Sequence, residues 1–158
     1  MPSRRDLIRM SDDELREYLR TSKTMSIISL GPGGYPHPMP MWYAVDDDGT
    51  VRMTTFRKSQ KVRNIQRDPR VSLLVESGGG DYSQLRGVAI YGKAQVVDDF
   101  EEVMKTLRRV SGVDALSDPE AKKGADAVMG KTAAKRVAIL IRPERIVSWD
   151  HRKLGGGY

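Results

Sequence analysis

At 158 residues the chain has the length of one compact domain, enough to bury a core without staples. Its 39% hydrophobic and 30% charged residues are a globular balance, and no apolar run reaches the roughly 18 residues of a membrane-crossing helix. Cysteine is absent, which excludes a disulfide scaffold, a thiolate nucleophile, Cys-ligated zinc and an iron–sulfur cluster. The basic N-terminus is followed by no apolar stretch and reads as no secretory signal, so a soluble cytoplasmic protein is expected.

In chain order, Ser11-Asp12-Asp13-Glu14 forms a capping box that predicts a short helix through about Arg20. Thr24–Leu30 reads as a strand, stopped by Gly31-Pro32-Gly33-Gly34. His37–Val45 reads as a second strand, made irregular by Pro38 and Pro40, which cannot donate ladder hydrogen bonds. The Asp46–Gly49 turn closes a hairpin into Val51–Phe56. Ser59–Asp68 has Val62 and Ile65 at helical spacing and ends at Asp68-Pro69. Val71–Glu76 and the longer Gly87–Val97 are strands, with Gly92 marking a bulge or a close backbone approach. Asp99–Val110 is a helix with Phe100, Val103, Met104 and Leu107 on one stripe. Residues 112–134 form a looser connection with partial helix. A last strand, Arg136–Ile141 and Arg145–Trp149, is interrupted at Pro143, and a polar tail covers 150–158. About six strands at hairpin spacing predict a mainly β fold, a small antiparallel barrel, and links this short disfavour a parallel βαβ sheet. The whole chain, 1–158, is expected to be a single domain: an N-terminal helix in 1–22, the barrel in 23–149, then the tail.

The net charge of +6 has a location. The first twenty residues cancel, whereas 57–70 carries Arg57, Lys58, Lys61, Arg63, Arg67 and Arg70 against Asp68 alone. Such a patch implies an anionic partner unless it is a solvated helix face. Within it, the strand ending in Thr54 and Thr55 meets a helix that starts near Ser59. Hydroxyls, Lys61 and the free N–H groups of a helix start are the makings of an anion site; the alternative is that Ser59 is only an N-cap and Thr54 and Thr55 only strand formers. The spacing is not that of a P-loop.

Other chemistries find little support. His37 and His151 have no partner at metal-ligand spacing, no GxSxG elbow occurs, and the paired carboxylates fall in a turn or at a helix start. Trp42, Tyr43 and Trp149 read as core or interface residues, or as the walls of a slot for a flat ring. The basic segment contains no aromatic residue to stack bases, so a nucleic-acid partner is not expected.

The ordered string GYPHPMPMWY (34–43), MTTF (53–56), SQKVRNI (59–65), DPRVSLLV (68–75) and LRGVAIYGKA (85–94) resembles the pyridoxamine 5'-phosphate oxidase-like split barrels, a group of flavin and deazaflavin oxidoreductases. The resemblance covers about Thr24 to Trp149. It implies a six-stranded antiparallel Greek-key split barrel and a homodimer with the cofactor at the subunit interface. By the same resemblance Thr54 and Thr55 touch the cofactor phosphate or ring edge. Ser59, Gln60 and Lys61 match a phosphate clamp, with Asn64 on the same helix face, and the backbone from His37 through Met39 to Met41 runs beside the ring. Pro38 and Tyr43 stand where pyridoxamine phosphate oxidases carry basic residues, and the Trp149–Lys153 string departs from their substrate pattern, which argues against vitamin B6 oxidation.

The resemblance is closer to the branch that uses the deazaflavin coenzyme F-420, whose phosphate and oligoglutamate tail suit a dense basic segment. Hydride transfer to or from a small organic substrate is the expected reaction. FMN-dependent oxidase or reductase chemistry and a non-catalytic cofactor-binding role are the alternatives. Tyr43, His37 and solvent are the candidate proton donors, and no metal is expected.

Overall fold

The structure, a computed structural model, describes residues 3–155; the Gly-Gly-Tyr end of the expected tail lies outside the described residues. Seven antiparallel strands form one sheet: β1 (Thr24–Leu30), β2 (Pro36–Trp42), β3 (Ala44–Val45), β4 (Val51–Phe56), β5 (Arg70–Ser77), β6 (Arg86–Val97) and β7 (Arg136–Asp150). Their order is β2-β1-β5-β6-β7-β4-β3. The two edge strands of that order, β2 and β3, are consecutive in the chain and separated by Tyr43 alone. One residue cannot span an open sheet, so the sheet must curl until its edges meet. The mainly β split barrel is therefore present, with seven strands rather than six because the expected His37–Val45 strand divides at Tyr43. Before that break it pairs with β1, and after it with β4.

β2 is also more regular than its prolines suggest, since Pro36, Pro38 and Pro40 lie opposite Leu30, Ile28 and Ser26 in unbroken register. Their period of two turns every proline nitrogen the same way. On an edge strand that direction needs no ladder partner.

Met25 and Ile27 of β1, Leu73 of β5, Ile90 of β6, Ile139 and Ile141 of β7, and Val51 and Met53 of β4 fill the interior. Helix α2 (Asp12–Thr21), preceded by the short α1 (Arg4–Leu7), adds Tyr18 and Leu19 to it. Its capping box forms as expected, with Ser11 Oγ accepting from the Glu14 N–H and Glu14 accepting from the Ser11 N–H. Outside β4 and β7, α4 (Phe100–Ser111) and α5 (Pro119–Ala133) make a second small core with Val103, Met104, Ala133 and Ala138. Phe100, expected on that apolar stripe, is instead half exposed, and the buried place belongs to Thr106. The connection expected to be loose thus carries a fifteen-residue helix, whose Pro119 sits just inside its start.

β7 runs without interruption past Pro143. The pairs Tyr91–Arg145 and Gly92–Pro143 leave Glu144 as the extra residue of a bulge, where a proline is tolerated. Gly92 faces this bulge so closely that a Cβ there would lie 2.3 Å from the Arg142 carbonyl oxygen. A Cβ on Gly87 would lie 2.2 Å from Cζ2 of Trp149, whose ring crosses that glycine. Gly87→Ala is accordingly expected to cost about 1–3 kcal/mol and to shift the tryptophan emission, measured by thermal unfolding and fluorescence.

Candidate functional site

Helix α3 (Gln60–Arg67) follows β4 after a short turn and packs Val62 and Ile65 inward. Ser59 occupies its N-cap position but does not cap it with its side chain. Its oxygen instead accepts from the Thr55 hydroxyl at 3.3 Å, and Thr55 accepts from Lys61 Nζ at 3.1 Å. The Gln60 and Lys61 N–H groups that open α3 keep their hydrogen-bonding capacity, whereas the Val62 N–H already donates to the Ser59 carbonyl at 3.2 Å. The Ser59 hydroxyl proton has no acceptor among the described residues.

Lys61 is 7% exposed, forms no ion pair among the described residues, and has Thr55 as its hydrogen-bond acceptor. Burial, and then the positive field of Arg136, hold its pKa below the ordinary lysine value. Asn64, fully buried, donates to Ser29 Oγ of β1 at 3.0 Å and accepts from Gln60 at 2.8 Å. Those bonds fix α3 on the barrel wall. Ser29 lies opposite His37, and Ile27 opposite Met39, so both β2 residues share the inward face of β1. His37 Nδ1 is buried without a partner.

The structure thus gathers Thr55, Ser59, Lys61, Gln60 and Asn64, with His37 and Met39 along the adjoining rim. Thr54 is separated from them because neighbouring strand residues point to opposite faces. Its hydroxyl lies on the α4–α5 side, where it accepts from Arg136 Nη1 at 3.2 Å. Tyr43 is removed from the candidate proton donors. Its phenol is buried, donates to the Leu19 carbonyl at 2.7 Å, and has its pKa raised by that burial.

The basic segment is also less free than its composition suggests. Arg57 pairs with Asp98 through two 2.8 Å bonds, Arg70 pairs with Asp68, and Arg67 donates to the Leu30 carbonyl. Lys58, Lys61 and Arg63 have no ion pair among the described residues. His37 Nδ1 and Arg136 Nε are the buried side-chain polar atoms left without partners there, the first on the rim strand β2 and the second beside Thr54 on the other face of β4. An unsatisfied guanidinium N–H and an ammonium without a carboxylate fit an anionic, hydrogen-bonding cofactor. Among the described residues no group of His, Asp and Glu fits a metal ion, and no helix is long and apolar enough to cross a membrane.

The sequence profile of the family described as pyridoxamine 5'-phosphate oxidase matches residues 11–150. A conserved hypothetical protein of Mycobacterium tuberculosis has a solved structure that is 38% identical, with a TM-score of 0.83 over 99% of this chain and 95% of that one. A structure described as an F420 reductase is 26% identical, with a TM-score of 0.58 over 83% of this chain and 94% of that one. The 5a,11a-dehydrotetracycline/5a,11a-dehydrooxytetracycline reductase of Streptomyces rimosus is 31% identical over 84 residues, 51% of this chain. The match spans 59% of that reductase. With the profile running from the cap of α2 through every strand to the end of β7, the chain belongs to the pyridoxamine 5'-phosphate oxidase family.

Proposed function

We propose that the protein is an oxidoreductase that binds the deazaflavin coenzyme F-420 and passes hydride between it and an unsaturated small organic substrate. The observation that carries this reading is Lys61, a buried ammonium held by one hydroxyl and lacking a carboxylate among the described residues. Such a charge is costly until an anion reaches it.

When bound, the deazaflavin supplies the hydride chemistry, while the protein binds, orients and excludes water. Lys61 holds the phosphate as a point charge, Thr55 aims the ammonium, and Ser59 donates its free hydroxyl. The start of α3 adds N–H groups and the positive end of its dipole. Gln60 and Asn64 act by fixing α3 on β1. Thr54 contributes from the other face of β4, through Arg136. The β2 backbone from His37 to Met41 would flank the ring, and the unpartnered His37 Nδ1 is the atom available there for a proton.

Lys58 and Arg63 extend positive charge beyond what a single phosphate needs, which favours the polyanionic tail of F-420 over FMN. The structure described as an F420 reductase, 26% identical, supports the same choice, and the Streptomyces rimosus reductase supports an unsaturated organic substrate.

The reading includes a homodimer. Clefts of about 410 Å³ at Leu30, Pro36 and Tyr91 and about 700 Å³ beside α2 do not contain Lys61 or Thr55. In this reading a second subunit packs over the start of α3 and completes the site. The outer sheet face supplies apolar surface for that contact, with Trp42 at 70% and Tyr91 at 44% exposure. Fluorescence titration against F-420 and FMN in parallel tests the cofactor. Selective binding of F-420 by a species that sediments as a dimer is expected. Selective FMN binding would move the protein to flavin chemistry, binding of neither would end the enzymatic reading, and a monomer that binds fully would end the dimeric one.

A further inference from the structure

We infer that Arg136 is the second cation of this site, and that Lys61 and Arg136 together receive a multiply charged phosphoryl-type oxyanion at the end of β4. The inference rests on the reading of Lys61 given above and extends it to a residue 82 positions after Thr54 in the chain.

Thr54 and Thr55 end β4 on opposite faces, and each hydroxyl takes one cation. Arg136 Nη1 reaches Thr54 Oγ1 at 3.2 Å, and Lys61 Nζ reaches Thr55 Oγ1 at 3.1 Å. The two cations therefore straddle the strand end. Arg136 lies 4.6 Å over the ring of the next residue, Phe56, which fixes its plane. Its Nε is buried with no acceptor, and the guanidinium makes no ion pair among the described residues. The nearby carboxylate of Asp98 is already taken by Arg57, whose guanidinium also donates to the Ala134 and Arg136 carbonyls.

Two like charges brought within electrostatic reach, with no carboxylate between them, are a net repulsion in the ligand-free protein. Its mark is the contribution of Arg136 to the lowered Lys61 pKa. An oxyanion between the two turns that repulsion into two attractions. Cations approaching from both faces of one strand suit a tetrahedral group, whose oxygens do not share a plane, better than a planar carboxylate. The guanidinium fork adds directed bonds to the point charge of the lysine.

The test uses the full chain and inorganic pyrophosphate, titrated by calorimetry against sodium chloride at matched ionic strength. Saturable binding is expected for the natural sequence. Arg136→Gln is expected to weaken it about ten- to a hundredfold, and Arg16→Gln, on the exposed side of α2, by less than about twofold. On unmutated protein, saturating pyrophosphate is expected to shield Arg136 from phenylglyoxal, read by peptide mass spectrometry. That arm stands even where Arg136→Gln fails to fold. Full pyrophosphate affinity in Arg136→Gln, or equal phenylglyoxal modification with and without the anion, would overturn the role of Arg136. If Lys61→Met loses pyrophosphate in that case, the reading of Lys61 stands. Absence of any pyrophosphate binding beyond the salt control would overturn both.

Discussion

Lys61→Met is expected to raise the stability of the ligand-free protein by about 1–2 kcal/mol, a few degrees in Tm, and to weaken F-420 binding at least about tenfold. The two effects have one cause. Lys61 is 93% buried by its 7% exposure, with a single hydroxyl to offset the loss of water and a second cation nearby. A methionine of similar length removes the charge and keeps the packing against α3 and β4. Thr55 retains its bond to Ser59, so no buried hydroxyl is stranded.

The pH dependence separates this account from simple repacking. In the folded protein the lysine pKa lies below its ordinary 10.5, through burial first and Arg136 second. Between the lowered value and 10.5 the unfolded chain binds more protons than the folded one, so stability rises with pH through that window. Lys61→Met lacks this rise. A bound anion favours the charged ammonium, so affinity in the unmutated protein falls as pH climbs through the lowered value. Thermal unfolding and titration of both proteins from neutral pH to 10.5 measure each sign. A variant that binds F-420 as tightly as the unmutated chain would sink the phosphate-clamp assignment.

The elements of this fold were legible wherever one physical signal decided them. The Ser11–Glu14 box forms as read, and Val62 and Ile65 bury one face of α3. Gly92 meets both of its expectations, since it faces the bulge and lies against the Arg142 carbonyl. Misreadings arose where tertiary pairing decided. Prolines every second residue looked disruptive in β2, but on an edge strand they are harmless. Pro143 looked like a break because the sequence does not show that Glu144 can be looped out.

At the site, the grouping of Thr55, Ser59 and Lys61 was legible because it is local, a strand end running into a helix start. Two things were not. Adjacent threonines read as a pair, although strand alternation sends them to opposite faces. Arg136 carried no signal, because β4–β7 pairing, which sequence spacing does not encode, is what brings it to Thr54. Counting cations also overstated the basic patch. Beyond Asp68, which lies within the segment and pairs with Arg70, Asp98 neutralises Arg57 from outside it.

The other large effect is expected at the opposite end of the same strand. Arg52→Ala should destabilise the protein by about 3 kcal/mol, the low end of the cost of breaking a buried ion pair. Arg52 shares the outward face of Thr54 but lies beneath α4, with its side chain 4% exposed. It donates to both oxygens of Asp46, to Glu102 at 2.6 Å and to Thr106 at 3.1 Å. Removing it leaves a cavity under the helix and strands two carboxylates. The cost stays near the low end because Arg109 still holds Asp46 at 3.1 Å, and Glu102, at 24% exposure, can turn to water. A double-mutant cycle of Arg52→Ala with Glu102→Gln, read by chemical denaturation, is expected to give a coupling of about 1 kcal/mol or more. Additive costs would show that packing rather than the ion network is what Arg52 provides. Below its unfolding temperature, Arg52→Ala is expected to bind pyrophosphate within about threefold of the unmutated chain, since no atom of Lys61, Thr55 or Ser59 touches this network. β4 would then carry a satisfied cation that anchors α4 at one end and unsatisfied cations that await an anion at the other. A large loss of pyrophosphate affinity in Arg52→Ala would mean that α4 positions the end of β4, and that the two ends are coupled.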